Sequence, residues 1–455
     1  MIQSAILVLS GFGFLSALAI FIYYFGEYLL QSAFLLQISI GLLVFAFGSF
    51  VLLRFSPQVR AVSAIVLVSS LAPFWALELA MQMEWYASAP EEPANSRPNR
   101  EARSIPEVLA DLRSKGMAVY PAVPPYALLV HRKDDTISEL GDFLPVSGVS
   151  TATTLFCNEA DEWIIYESDE YGFNNPRGIW GRANMDILAV GDSFTHGACI
   201  APDLNFVALI RRKFPGTVSI GQSSNGPLLM LASLREFLAT AKPSTVLWFY
   251  FEENDIPTDL PAESRVTLLM NYLEDSFSQG LAGRQPEIDR RLKTWLGENA
   301  DQPVNFANPI IAPGQFAGFN VTDFLLLRNL RNRLHVTIGP KPRELKLFGQ
   351  IMETARREVE AAGARLTVVY LPGERRFSNL LGAIFQNLLR ERVLFILDKK
   401  LGIPVIDLVP VFESHADPRS LFLQHYTKEG NVLVANQVLQ ALNQSNLKSL
   451  LPATQ

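Results

Sequence analysis

Three apolar stretches, at residues 5–24, 34–53 and 61–81, constrain this chain more than any other feature. The first two carry no charge, and the third carries a single acid, Glu78. About 20 apolar residues is the length an α-helix needs to cross the hydrocarbon of a bilayer. A helix is also the one open segment that satisfies its own backbone there. A cleaved signal peptide fits poorly, because no basic leader or small-residue cleavage site is present and two more spans follow. Arg54 and Arg60 lie between the second and third spans, whereas Gly26-Glu27 has no basic neighbour. By the positive-inside rule the second loop is cytoplasmic. The amino terminus is then cytoplasmic too, and everything after about residue 83 is outside. Residues 1–86 are therefore read as a membrane anchor with the lipid bilayer as partner.

Residues 87–106 are rich in Pro, Glu, Arg and Ser and read as a linker. An accessory region, 107–165, follows with a short amphipathic helix and short strands. From 166 to 455 strand-like and helix-like segments alternate. Strands are predicted at 186–190, 217–220, 245–251, 365–371 and 404–409; helices at 203–213, 227–240, 343–361, 376–393 and 427–442. That alternation predicts an α/β fold with a parallel sheet covered on both faces. An insertion, about 256–342, interrupts it and is expected to form a helical cap, with an amphipathic helix near 264–280. The net charge of −6 and the absence of a basic block argue against nucleic acid as a partner.

Within the alternating region, the apolar run Ile187-Leu188-Ala189-Val190 leads into Gly191-Asp192-Ser193-Phe194-Thr195-His196-Gly197. A Ser at such a strand-to-helix turn sits on the carboxyl edge of the sheet, where open α/β sheets bind ligands. Gly191 permits the sharp turn, and Asp192 can support it through hydrogen bonds. Val218-Ser219-Ile220 leads into a Gly-rich turn from Gly221 to Pro227, whose N–H groups can serve as oxyanion donors. The strand 245–251 ends in Glu252-Glu253-Asn254-Asp255, where Asn254 can aim an amide donor or simply cap a helix. His425 precedes Gly430 and the last helix, and it can act as general base to Ser193. His196 and His415 are rival bases; His131 and His335 lie in no motif.

These four segments, in this order, resemble the SGNH (GDSL-type) hydrolase and acyltransferase superfamily. Gly191-Asp192-Ser193-Phe194 matches the first block, Gly221 the second, Asn254 the third, and His425 with Gly430 the fifth. The resemblance covers roughly residues 165–445. It implies a flavodoxin-like sheet, Ser193 as nucleophile, and an oxyanion hole from Ser193, Gly221 and Asn254. Ser168-Asp169-Glu170-Tyr171-Gly172-Phe173-Asn174-Asn175-Pro176 is similar to membrane-anchored members of bacterial envelope polysaccharide systems, including relatives of the alginate O-acetylation proteins. Two positions depart from the pattern. Glu252 stands where a Gly is usual, and Phe422 and Leu423 stand where an Asp often precedes the catalytic His. The nearest acid upstream is Asp417, so either Asp417 folds back on His425 or the site is a Ser–His dyad.

The function expected is a membrane-anchored esterase or O-acyltransferase acting on an envelope or exopolysaccharide glycan through a Ser193 acyl-enzyme. Its domain would lie on the periplasmic side of a bacterial inner membrane, among other envelope polysaccharide proteins. The alternative is a non-catalytic subunit of the same fold that binds glycan or supports assembly. Cys157 and Cys199 can pair in an oxidising compartment and brace the Ser193 turn, or remain buried free thiols. They lack metal-site spacing, and no cofactor motif occurs. The topology is checked with a cysteine placed near Glu91, which a membrane-impermeant reagent should reach in cells with a permeabilised outer membrane. Protection there, with exposure near Gln58, would reverse the orientation.

Overall fold

The computed structural model of the chain describes residues 2–26, 33–87, 103–131, 136–138, 140–160, 162–298, 324, 327–333 and 340–450. The three apolar runs form helices Ile2–Phe25, Ala33–Val51 and Pro57–Ala87. Each is long and apolar enough to cross a membrane. Large side chains such as Leu9, Phe47 and Ile65 stand bare on their surfaces, as lipid-facing residues do. Glu78 is buried instead: its carboxylate accepts the N–H groups of Asn329 (3.0 Å) and Leu330 (2.8 Å) at the start of helix Arg328–Arg333. The chain thus divides into two units, the first joining Met1–Glu91 to Phe316–Arg343 and the second holding the rest. The end of the insertion therefore belongs with the anchor and not with the sheet.

In the second unit an accessory region comes first. Strand β1 (Val119–Pro121) pairs in parallel with β4 (Thr153–Leu155), which pairs antiparallel with β5 (Ile165–Glu167). Between them β2 (Leu129–His131) and β3 (Thr136–Ser138) form a separate hairpin. The main sheet has five parallel strands: β6 (Met185–Val190), β7 (Thr217–Ser219), β8 (Pro243–Phe251), β9 (Arg365–Leu371) and β10 (Val405–Asp407). Their order is β10-β9-β8-β6-β7, which is the flavodoxin-like 2-1-3-4-5 arrangement read from its other edge. Side chains alternate between two cores, as a doubly covered sheet requires. Val246, Trp248 and Tyr250 of β8 pack on one face, and Leu247, Phe249 and Phe251 on the other.

The predicted core elements fall close to these strands and to helices Phe206–Arg211, Pro227–Ala241, Pro342–Ala361, Leu380–Leu394 and Lys428–Leu450. The insertion differs from expectation. No long helix spans 264–280; short turns occupy it, and the longest helix among the insertion's described residues is Gln285–Glu298. The reason is a competing acceptor. Buried Glu236 takes hydrogen bonds from Tyr272 Oη (2.7 Å), Ser278 Oγ (2.9 Å), Gln279 N (2.7 Å) and Leu281 N (2.7 Å), drawing the chain out of helix.

The Ser168–Pro176 motif joins accessory region to sheet. Asp169 accepts from Tyr171 N, Phe173 N, Asn175 Nδ2 and Trp180 Nε1. Asn175 in turn bridges to β7, accepting from Ser219 N and donating to Ser219 O, both at 2.8 Å. Gly172 adopts φ +83°, and a Cβ there would lie 2.0 Å from Gly148 O. Gly172→Ala should therefore cost more than about 2 kcal/mol, since the left-handed backbone and a backbone clash coincide. Thermal melting checks it; an unchanged Tm would contradict the close approach.

Candidate active site

Strand β6 ends at Val190, and the chain turns through Gly191 into helix Ser193–His196. Asp192 caps that helix, its Oδ1 accepting from Phe194 N at 3.0 Å. A Cβ on Gly191 would meet Thr195 Oγ1 at 2.1 Å, so the turn closes only with glycine. The loop after β7 packs against the same turn: Gln222 N donates to Gly191 O (3.3 Å), and a Cβ on Gly221 would lie 2.7 Å from Thr195 Cβ.

His425 Nε2 lies 2.8 Å from Ser193 Oγ. Its Nδ1 lies 2.6 Å from Glu159 Oε1. The other Glu159 oxygen accepts the backbone N–H groups of His425 (3.0 Å) and Gln424 (3.3 Å). Burial alone would raise the Glu159 carboxyl, but the hydrogen bonds and charge of His425 outweigh it and hold the group below its ordinary value. An ionised Glu159 only accepts, so Nδ1 carries the proton and Nε2 presents its lone pair to the serine hydroxyl. Ser193 Oγ, His425 and Glu159 therefore form one hydrogen-bonded line, the arrangement that a nucleophile, a base and an orienting acid require.

Asp417 does not take that place. Its carboxylate accepts from Arg419 N (3.2 Å) and caps the turn Pro418–Leu421. A carboxylate committed to its own turn leaves the imidazole to Glu159, which lies 266 positions before His425 in the loop between β4 and β5. Local spacing before the His could not reveal it. One signal could have: Glu159 lies two residues after Cys157, and a Cys157–Cys199 pair carries that neighbourhood to the Ser193 turn. The two cysteines are joined in a disulfide, with Cα atoms 5.3 Å apart.

Gly221 and Asn254 follow β7 and β8, the two strands that flank β6. Asn254 Nδ2 is 3.5 Å from Asp192 Oδ2, and its Oδ1 is buried with no hydrogen-bond partner among the described residues. The Gly221 N–H lies 3.3 Å from Ser219 Oγ. Both groups belong to loops adjoining the Ser193 turn, at the sheet's switch point. Glu252, the departure from the resembled pattern, is turned into the protein. It pairs with Arg376 (2.6 Å) and accepts from Tyr370 Oη and Gly373 N, each at 2.8 Å.

The rival histidines have other places. His196 is buried against Phe156, bonded to Tyr166 Oη (2.9 Å) and to Ser223 N (3.2 Å). Burial lowers its pKa to about 3, so it is a neutral strut between the accessory strands and the β7 loop. His415 contacts Glu429 at 3.2 Å. His335 lies outside the described residues.

No protein-family model matches the chain, and no curated protein does. Among solved structures, a lipase/acylhydrolase from Enterococcus faecalis is similar at 12% identity and TM-score 0.32, over 57% of this chain and 96% of that one. A GDSL-like lipase from Bacteroides thetaiotaomicron is similar at 12% identity and TM-score 0.30, over 57% and 88%. A psychrotrophic esterase from Pseudoalteromonas is similar at 9% identity and TM-score 0.28, over 57% and 98%.

The hydrogen-bond line makes a sharp distinction between the two acids. Glu159→Gln should lower kcat for a small acetyl ester by ~10²–10⁴, the range for losing an orienting carboxylate. Asp417→Asn should leave it within about twofold. Steady-state kinetics of the two variants decide between them, and the reverse ranking would return the role to Asp417.

Proposed function

We propose that the chain is a membrane-anchored serine ester hydrolase or O-acyltransferase of the SGNH type. The observation that carries this reading is the unbroken line from Ser193 Oγ through His425 to Glu159, at 2.8 and 2.6 Å. As Ser193 attacks an acyl carbonyl, His425 takes its proton and Glu159 stabilises the imidazolium that forms. The tetrahedral oxyanion is held by the N–H groups of Ser193 and Gly221 and by the Asn254 amide. Each such donor is worth ~10²–10³ in rate. His425 then returns the proton to the leaving group, and an acyl-Ser193 remains.

The second half-reaction sets the product. Water as acceptor gives an esterase; a sugar hydroxyl gives a transferase. Two features support an envelope or exopolysaccharide glycan as substrate: the resemblance carried by Ser168–Pro176, and three helices of membrane-spanning length ahead of the linker. The positive-inside reading of Arg54 and Arg60 supports a periplasmic site. The non-catalytic alternative rested on the want of an acid beside His425, and Glu159 removes that support.

A fluorophosphonate probe should label the purified full chain at one residue, Ser193, and Ser193→Ala should abolish both labelling and acetyl-ester turnover. Asn254→Ala should keep slow labelling, because it loses a donor and not the nucleophile. Undiminished turnover in Ser193→Ala would overturn the enzymatic reading.

A further inference from the structure

Glu159 reaches His425 from outside the main sheet. It lies in the loop of the β4–β5 hairpin, whose pairing continues through Phe156 N to Ile164 O (2.8 Å) and Ile164 N to Cys157 O (2.9 Å). Beyond Cys157 the two strands part, and Glu159 belongs to the tip. On the other side, Cys199 follows the nucleophile helix Ser193–His196 and Gly197. Cys199 Sγ, a Glu159 carboxylate oxygen and a His425 ring nitrogen all lie within 4.8 Å of one another. One covalent bond thus links the strand end beside the acid to the turn beside the nucleophile.

We propose that the Cys157–Cys199 disulfide is a positioning clamp for the acid, and that a dithiol reductant lowers activity by freeing the hairpin tip from His425. This rests on the serine ester reading of the site. In the switching step a dithiol gives two electrons: the S–S bond breaks, each cysteine gains a proton to become a thiol, and the reductant closes into its own disulfide. The folded sheet keeps Ser193, His425, Gly221 and Asn254, none of which lies on the hairpin. What the clamp controls is the 2.6 Å contact at Nδ1, and hence the tautomer and aim of the imidazole. Displacement of a catalytic group by about 1 Å can cost on the order of 10²-fold in rate.

The test uses the purified full chain in detergent, oxidised and then treated with dithiothreitol, beside Cys157→Ser/Cys199→Ser and Glu159→Ala. Thiol titration scores the redox state, acetyl-ester kinetics score kcat and KM, and hydrogen exchange scores the Gln424 and His425 amides that donate to Glu159. Reduction and the double Cys variant should each lower kcat on the order of 10²-fold with KM within about twofold. Both should raise exchange at 424–425 to the level of Glu159→Ala, and reoxidation should restore the reduced protein. In a Glu159→Ala background, reduction should change neither readout. Unchanged kcat and exchange after both thiols titrate would overturn the clamp, as would losses that multiply with Glu159→Ala. Exchange rising across all the sheet peptides would instead make the disulfide a general staple. Exchange does not depend on turnover, so a protein that hydrolyses no ester and takes no probe at Ser193 refutes the enzymatic reading while the contact is still scored.

Discussion

Strand β6 lies between β7 and β8 and is hydrogen-bonded to both in parallel, so the loops leaving the carboxyl ends of these three strands emerge side by side. Every chemically distinctive residue of the main sheet's edge follows from that adjacency. The β6 loop carries Ser193, the β7 loop carries Gly221, and the β8 loop carries Asn254. The chain leaves β6 for β7 on one side and returns to β8 on the other, which opens the crevice of a topological switch point. Two buried cores lock the adjacency, one on each face of the sheet. Displacing β6 would move Ser193 relative to both of its neighbours at once.

Electrostatics at this edge divide the carboxylates into two kinds. Asp255, Asp259 and Glu263 are buried, and burial raises all three well above the ordinary carboxylate range. Such groups favour the neutral form, which keeps negative charge away from the place where an oxyanion would develop. Glu159 is also largely buried, yet His425 holds its carboxyl down. Fixed negative charge therefore sits on the far side of the imidazole, where it would favour the imidazolium of the proposed proton transfer from Ser193. Environments that push like groups apart in pKa are how one site holds both acid and base functions.

The main sheet was legible from sequence because its strands are buried on both faces and read as continuous apolar runs between helices of regular period. Ser193, Gly221, Asn254 and His425 were legible because each sits at an element boundary within that pattern. Residues 264–280 were not: their apolar period is real, but it serves to wrap the chain around Glu236 instead of building a helix. The grouping of 316–343 with the anchor was hidden too, since it turns on Glu78, read as a lone acid in a membrane span, accepting two backbone N–H groups 251 and 252 positions away. Glu252 illustrates a third kind of opacity. A charge in place of Gly looks disruptive until Arg376, far along the chain, is seen to neutralise it.

The origin of Glu159 changes which segments the proposed catalytic unit must include. A boundary at 166, drawn where the α/β alternation begins, keeps Ser193, His425, Gly221 and Asn254 but leaves out Glu159. The hairpin that supplies Glu159 is fixed to the sheet by three different means: the disulfide, the His196 strut between Tyr166 and Ser223, and the Asp169–Asn175 bridge to β7. These attachments converge on the turn around Ser193 and the loop after β7, not on the sheet's distant edge. The accessory strands are thus part of the site's framework, and the smallest segment that can hold Ser193, His425 and Glu159 together begins ahead of β1, since β1 is the parallel neighbour that supports β4. A parallel sheet that receives a carboxylate from such a hairpin can carry Phe422 and Leu423 before His425, because Glu159 reaches Nδ1 from another part of the chain while Nε2 faces Ser193.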